Sequence, residues 1–352
     1  MTTRAAKIAE AERQGLSFPF PDPPEPGGTI EVAPGVLWGR LPLPMALDHV
    51  NVYLLEDGDG WALVDTGMAT DPCREAWGRL LEGRRISRVI VTHHHPDHVG
   101  LAGWLCERDG APLLMTRTAF LYARMLQLDA WDVLPDEAEA FYARAGFDDE
   151  QMQRARDRAK FGFSKVCGPL PLGFHRLEEG DALRIGDRRW TVWRGDGHAP
   201  EHALLVSDDG LVLAGDQILP RITSNIGVYP TEPEGDPLGE WMAACARLAE
   251  TLPEGLLALP GHNEPFRGVA QRLRALHAHH EATLERLEGF LDRPRTAVEC
   301  FPQLFDRAIS PPLLGFATVE AIAHLNRLIR QGAAVRRRQG EAYTYQRPER
   351  ED

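Results

Sequence analysis

The stretch that most constrains this chain is Val89-Ile-Val-Thr-His-His-His-Pro-Asp-His-Val-Gly100. A short apolar run rich in β-branched residues stops abruptly at histidines and an aspartate. It reads as a buried strand whose C-terminal end opens into a loop. The loop carries His93-x-His95-x-Asp97-His98, and imidazole and carboxylate are the ligand types that zinc and its neighbours accept. His93 and His95, two apart in extended chain, can point to one side. Asp97 and His98 fall on the next turn and can face a second ion. Pro96 stiffens the backbone between the two pairs. The plainer alternative is a solvated histidine tract. The strand that feeds the loop and the aspartate inside it argue against that.

The same pattern recurs along the chain. The run Trp61-Ala-Leu-Val-Asp65 follows the hairpin signature Asp57-Gly-Asp-Gly60 and ends in Asp65-Thr-Gly67. Asp65 suits a role as carboxylate acceptor for a ligand imidazole N–H, against the simpler reading of a turn-forming Asp before Gly. A strand over Asp187–Trp193 leads to Gly197-His-Ala-Pro-Glu-His202, a hairpin ends at Asp216, and Leu256-Leu-Ala-Leu-Pro-Gly-His262 is one more strand ending in a histidine. His198, Asp216 and His262 thus each stand just past a strand. Any one of them is a weak signal, but four ligand-bearing strand ends in one chain are a strong one. Two similar halves of strand, hairpin and helix suggest two sheets face to face with helices outside.

Outside these segments the chain divides into simpler parts. Residues 1–28 read as a polar helical segment followed by a proline-rich arm, whose Phe18 and Phe20 could pack on the body or on a partner subunit. That leaves a homo-oligomer open. Residues 29–270 carry the ligand pattern and read as the catalytic domain. Within it, 118–165 is helical throughout and too long for a connection, so it reads as an insertion able to cover a site. Its aromatics (Tyr122, Trp131, Tyr142, Phe161 and Phe163) suit a helix core, or an apolar wall for an acyl chain. Residues 271–352 form a long helix and a second small domain. His277, His279 and His280 on that helix are expected to face solvent.

Charge and composition narrow the partners. The 352 residues carry a net charge of −13, which does not suit nucleic-acid backbones. Five scattered cysteines without C-x-x-C spacing read as reduced packing residues. No apolar run of membrane-spanning length and no apolar leader segment are visible. The expectation is a cytoplasmic enzyme with no membrane association.

Asp65-Thr-Gly67, His93-x-His95-x-Asp97-His98, Gly197-His198, Gly215-Asp216 and Gly261-His262 resemble the five ordered motifs of the metallo-β-lactamase superfamily, over about residues 30–270. The resemblance implies an α/β fold, an αββα sandwich with a two-metal site on one edge. His93, His95 and His198 would bind the first ion. Asp97, His98 and His262 would bind the second, Asp216 would bridge them, and Asp65 would support a ligand histidine. A histidine at 95, where the flavodiiron branch has glutamate, points to zinc-type hydrolysis. The bridging Asp216 resembles the glyoxalase II-like hydrolases more than true β-lactamases. Ala199-Pro-Glu201 and Asn263-Glu264-Pro265 depart from the family pattern and are expected to line the mouth of the site. The C-terminal order of helix, turn, helix and hairpin, through Arg336-Arg-Arg-Gln-Gly340, looks like a winged helix, similar to one in the branch with an endoribonuclease and several thioesterases. Its three arginines could meet phosphate, or be a solvated hairpin tip.

Two divalent ions, zinc by preference with Mn or Fe as alternatives, would share a water and lower its pKa. The resulting bridging hydroxide would attack a carbonyl or phosphoryl centre, with Asp97 ligating one ion and orienting the hydroxide. The reading is a dinuclear hydrolase of a small-molecule acyl substrate, a thioester of CoA or glutathione. A lactonase or β-lactamase-like ring opener, a metal-dependent endoribonuclease and a non-catalytic binding protein are the alternatives.

Overall fold

The computed structural model describes residues 4–159 and 162–349. Residues 1–3 of the N-terminal segment, Lys160 and Phe161 of the expected insertion, and residues 350–352 lie outside them. Strands β1 (Thr29–Ala33), β2 (Val36–Pro42), β3 (His49–Asp57), β4 (Gly60–Val64), β5 (Ile86–Ile90), β6 (Leu113–Thr116) and β7 (His175–Leu177) form a seven-stranded sheet in that order. It is antiparallel from β1 to β4 and parallel from β4 to β7. A second sheet contains β8 (Ala182–Ile185), β9 (Arg188–Gly195), β10 (His202–Ser207), β11 (Leu211–Gly215), β12 (Leu257–Pro260) and β13 (Phe266–Arg267). Its order is β13-β12-β11-β10-β9-β8, and its one parallel pair is β11 with β12.

Successive strand residues point to opposite faces, and here both faces of the first sheet are buried. Val52 and Leu54 of β3 join one apolar cluster, Tyr53 and Leu55 the other. Leu63 parts from Ala62 and Val64 in the same way, and Val89 parts from Ile90. The outer cluster packs Trp77 and Leu80 of the helix Asp71–Leu80 and Leu105 of the helix Ala102–Asp109. The inner cluster joins the two sheets. Trp38, Tyr53 and Ile90 meet Trp190, Leu205 and Leu259. Burying each such side chain contributes roughly 1.5–3 kcal/mol, and the two layers together make this a sandwich. The consequence for function lies at the sheet ends, where polar loops emerge from a rigid apolar body.

The chain divides into two compact units. The first is Met1–Ala130, Phe163–Ser224 and Leu248–Leu273; the second is Trp131–Gly162, Asn225–Arg247 and Arg274–Asp352. In the first unit the arm is not free. Ser17 pairs with Arg267 of β13, and Phe18 is buried with its ring centroid 6.4 Å from that of Phe266. Phe18 therefore packs on its own chain.

The segment expected to be helical throughout 118–165 is broken into Arg117–Leu128, Asp136–Ala145, Asp149–Ala159 and Phe163–Val166. Pro135 and the left-handed Gly146 (φ 95°) bound the second of these. Its aromatics divide among settings. Tyr142 stacks on Phe147, Phe163 packs against the outer cluster, and Trp131 is exposed.

In the second unit β14 (Val335–Gln339) and β15 (Ala342–Gln346) form a hairpin, after the helix Leu314–Arg330. One expectation is overturned here. His280 does not face solvent; it is 1% exposed, and its Nδ1–H donates to Nε2 of His324 at 3.3 Å. It lies four residues after Leu276 and four before Leu284, so the 3.6-residue period puts it on the buried stripe of its helix. His324 in turn donates from Nδ1 to the carbonyl of Glu320 at 2.9 Å. All five cysteines are buried, and among the described residues none bridges another. No helix among the described residues is long and apolar enough to cross a membrane.

Candidate metal centre

The seven residues expected from sequence as ligands come together in the first unit, at the ends of its strands. His93 and His95 follow β5 in the loop that opens the short helix Pro96–Val99, which carries Asp97 and His98. His198 lies in the turn between β9 and β10, Asp216 just past β11, and His262 just past β12. One ligand atom from each of His93, His95 and His198 lies within 4.8 Å of the others; the same holds for Asp97, His98 and His262. His93 Nε2 is 3.0 Å from His95 Nδ1 and 3.3 Å from His198 Nε2. His262 Nε2 is 3.4 Å from Asp97 Oδ2, and His98 Nε2 is 3.6 Å from that same oxygen.

Asp216 stands between these groups. Its Oδ2 is 3.6 Å from His198 Nε2 and 3.2 Å from His262 Nε2, and its Oδ1 is 3.4 Å from His98 Nε2. A glycine makes the approach possible. A Cβ at Gly261 would collide with Asp216 Oδ1 and come within 2.8 Å of His98 Cε1.

The surrounding bonds decide which imidazole nitrogen faces inward. Asp65 Oδ2 accepts from His98 Nδ1 at 2.8 Å, and the His49 carbonyl accepts from His262 Nδ1 at 2.8 Å. Thr92 donates to Asp65 from both its backbone N–H and its hydroxyl, so its oxygen is left to accept from His93 Nδ1 at 3.0 Å. In all three histidines Nε2 is the nitrogen turned toward the cluster, the one that would give its lone pair to an ion. Asp65, at φ 61°, and Asn263, at φ 69°, hold the left-handed conformation that side chains seldom adopt. Such strain persists where surrounding contacts enforce it.

Burial pushes His93 and His95 well below the usual histidine range, so both are neutral donors of a lone pair. Burial acts the same way on His98, but Asp216, Asp97 and Asp65 outweigh it and raise its pKa well above normal. His262 is likewise carried against burial, mainly by Asp216, up to about 10. Asp216 itself is held well below the carboxylate range, where His262 and His98 overcome its burial. A cluster that draws protons onto its histidines draws cations by the same field. His98 Nε2 and Asp216 Oδ1 are buried and make no hydrogen bond. Nitrogen and oxygen donors so placed fit a divalent ion.

Two features were missed or misplaced by the sequence reading. His202, the second histidine of the Gly197–His202 segment, is fully buried. It stacks on His93 with ring centroids 4.7 Å apart, and its Nε2 accepts the Asp216 N–H at 3.1 Å. Its spacing four residues past His198 was the available signal. Asn263 and Glu264, expected at the mouth of the site, are 6% and 1% exposed, and both accept from Arg221 Nη2. Tyr122 of the helix Arg117–Leu128 is half-buried with its ring 5.1 Å from that of His94.

Residues 45–289 match the model of the metallo-beta-lactamase superfamily, and residues 284–348 match the metallo-beta-lactamase-like C-terminal domain. A crystal structure of a beta-lactamase domain protein from Burkholderia ambifaria is 38% identical with a TM-score of 0.87, over 96% of this chain and 100% of that one. The "Probable metallo-hydrolase YqjP" of Bacillus subtilis is 27% identical over 82% of this chain and 90% of its own. A hydroxyacylglutathione hydrolase of Xylella fastidiosa is 28% identical over 50% of this chain and 48% of its own. The chain belongs to the metallo-beta-lactamase superfamily. It is a metal-binding hydrolase with the sandwich fold of that family.

Proposed function

We propose that the chain hydrolyses thioesters, or related activated acyl compounds such as acyl-CoA or acyl-glutathione, with two divalent ions. His93, His95 and His198 would hold the first ion and Asp97, His98 and His262 the second, with Asp216 placed between the two groups. Zinc suits this mixed nitrogen and oxygen set, with Mn or Fe as alternatives. The observation that carries the reading is the placement of Asp216, whose two oxygens lie 3.2–3.6 Å from His198, His262 and His98. Divalent ions bound there supply Lewis acidity and a water acidified toward neutral pH.

The chain's own residues do the rest. Asp65 and Thr92 fix the tautomers of His98 and His93. Asp97 is 17% exposed, against 8% for Asp216 and 4% for Asp65. It is the carboxylate of the cluster most open to solvent, and so the one placed to orient a water or receive a proton.

The partial match to a hydroxyacylglutathione hydrolase supports a glutathione thioester as one substrate class. The nuclease reading has less support. Arg336 of β14 is held by Glu234 at 2.9 and 3.0 Å and lies over the Tyr343 ring, so the arginine run is partly neutralised. The test is a side-by-side screen of metal-quantified protein on acyl-CoA, acyl-glutathione, lactone, β-lactam and short RNA. Thioester turnover that vanishes in His93→Ala is expected. Cleavage of RNA or ring substrates alone would refute the assignment.

A further inference from the structure

Two residues past His262 stands a carboxylate that the metal cluster does not use. Glu264 has a side chain 1% exposed and is surrounded by guanidinium groups. Its Oε1 accepts from Arg4 Nε at 2.9 Å and lies 3.6 Å from Arg40 Nη2. Its Oε2 accepts from Arg221 Nη2 at 2.5 Å. The same Nη2 donates to Asn263 Oδ1 at 2.8 Å.

Arg221 lies five residues past Asp216, and Asn263 and Glu264 are the two residues after His262. One buried guanidinium therefore ties the loop that leaves Asp216 to the loop that leaves His262. Both loops are anchored further. Arg272 donates to the carbonyls of Leu219 and Ile222, and Ser224 Oγ donates to that of Asp216. Asn51 donates to the carbonyls of Pro260 and Asn263, and its own Oδ1 accepts from Arg40 Nε. A carboxylate among three guanidinium groups, two of them nearly buried, is an unusual burden for a fold to carry merely for stability.

We propose that Glu264 is a positioning residue for the second metal position. By holding Arg221 it fixes the Asp216 loop against the His262 loop, and so sets the 3.2 Å spacing between Asp216 Oδ2 and His262 Nε2. The inference rests on the two-ion reading above.

The test compares full-length wild type, Glu264→Gln and Arg221→Lys, each stripped and titrated with cobalt(II). Visible absorption reports each equivalent, circular dichroism reports folding, and kcat and KM are measured on a thioester. Glu264→Gln keeps the shape but leaves the guanidinium groups uncompensated. Arg221→Lys keeps the charge, but its ammonium ends one bond short of the Nη2 position from which both Asn263 and Glu264 accept. The second equivalent should bind about 10–100-fold more weakly in both variants, the usual scale for an outer-shell loss. Its cobalt spectrum should change, the first equivalent should weaken less than the second, and kcat should fall with KM nearly constant.

Folded variants that lose thermal stability but bind both equivalents with the wild-type spectrum would overturn the proposal. If Glu264→Gln fails to fold, Arg221→Lys decides alone. Wild type that takes up fewer than two equivalents would overturn the two-ion reading itself, and the proposal with it.

Discussion

Asp65 accepts the Nδ1 proton of His98 at 2.8 Å, and that bond determines which nitrogen of His98 faces the metal cluster. The same carboxylate accepts from the backbone N–H and hydroxyl of Thr92, so all its partners are donors. Asp65→Asn offers one acceptor oxygen and turns an NH2 group toward a donor. Metal affinity should fall about 10–100-fold with the fold retained. Competition against a chromophoric chelator measures it, and unchanged affinity would show that His98 is oriented by something else.

A Cβ at Gly261 would collide with Asp216 Oδ1 and fall 2.8 Å from His98 Cε1. Gly261→Ala should displace the carboxylate, because a rigid strand end leaves the new Cβ no room. A shift on the order of 1 Å costs about 10²-fold in turnover. The variant should fold normally by circular dichroism and be nearly inactive at saturating metal. Wild-type activity would mean that Asp216 has slack the structure does not show.

Protons and cations compete for this centre. His262 is raised to about 10, so without a cation it stays protonated through neutral pH. Its stabilising contribution to the cation-free protein is full below the unfolded value near 6.5 and is lost as pH rises through about 10. Metal uptake at pH 7 must expel that proton. Apparent affinity should therefore rise with pH, by up to about tenfold per unit for each proton displaced. Calorimetry in two buffers of different ionisation enthalpy counts the protons released, and a count of zero would contradict the assignment.

Glu320 gives a second pH dependence, in the other compact unit. Burial pushes its carboxyl up to about 7 against the hydrogen bond from Asn225 Nδ2 at 2.7 Å. The native state thus binds a proton that the unfolded state has lost, so stability falls as pH rises from about 4.5 to about 7. Glu320→Gln should remove that fall. Melting curves at pH 5 and pH 8 should converge for the variant and separate for wild type. Parallel behaviour of the two proteins would refute the shift.

The ligand loops were legible because each is a local event, an apolar β-branched run that ends in His or Asp. The two-sheet sandwich followed from counting such runs. Burial that depends on distant partners was not legible. Glu264 reads as a residue at the mouth of the site until Arg4, Arg40 and Arg221 arrive from far along the chain. His202 looks incidental until β10 carries it beside His93. His280 was misplaced for a different reason. Its periodicity with Leu276 and Leu284 was present in the sequence, but its polarity outweighed the period. The helical stretch after β6 was read as continuous because charged helix-forming residues hid the breaks at Pro135 and Gly146.

The most direct test is a metal titration of stripped protein, followed by thiol release from acyl-glutathione and acyl-CoA. Turnover should be absent at the start, appear with added zinc and saturate at two equivalents. His93→Ala should stay inactive throughout. Full thioester turnover in the stripped protein, or saturation at one equivalent with the second without effect, would contradict a two-ion hydrolase.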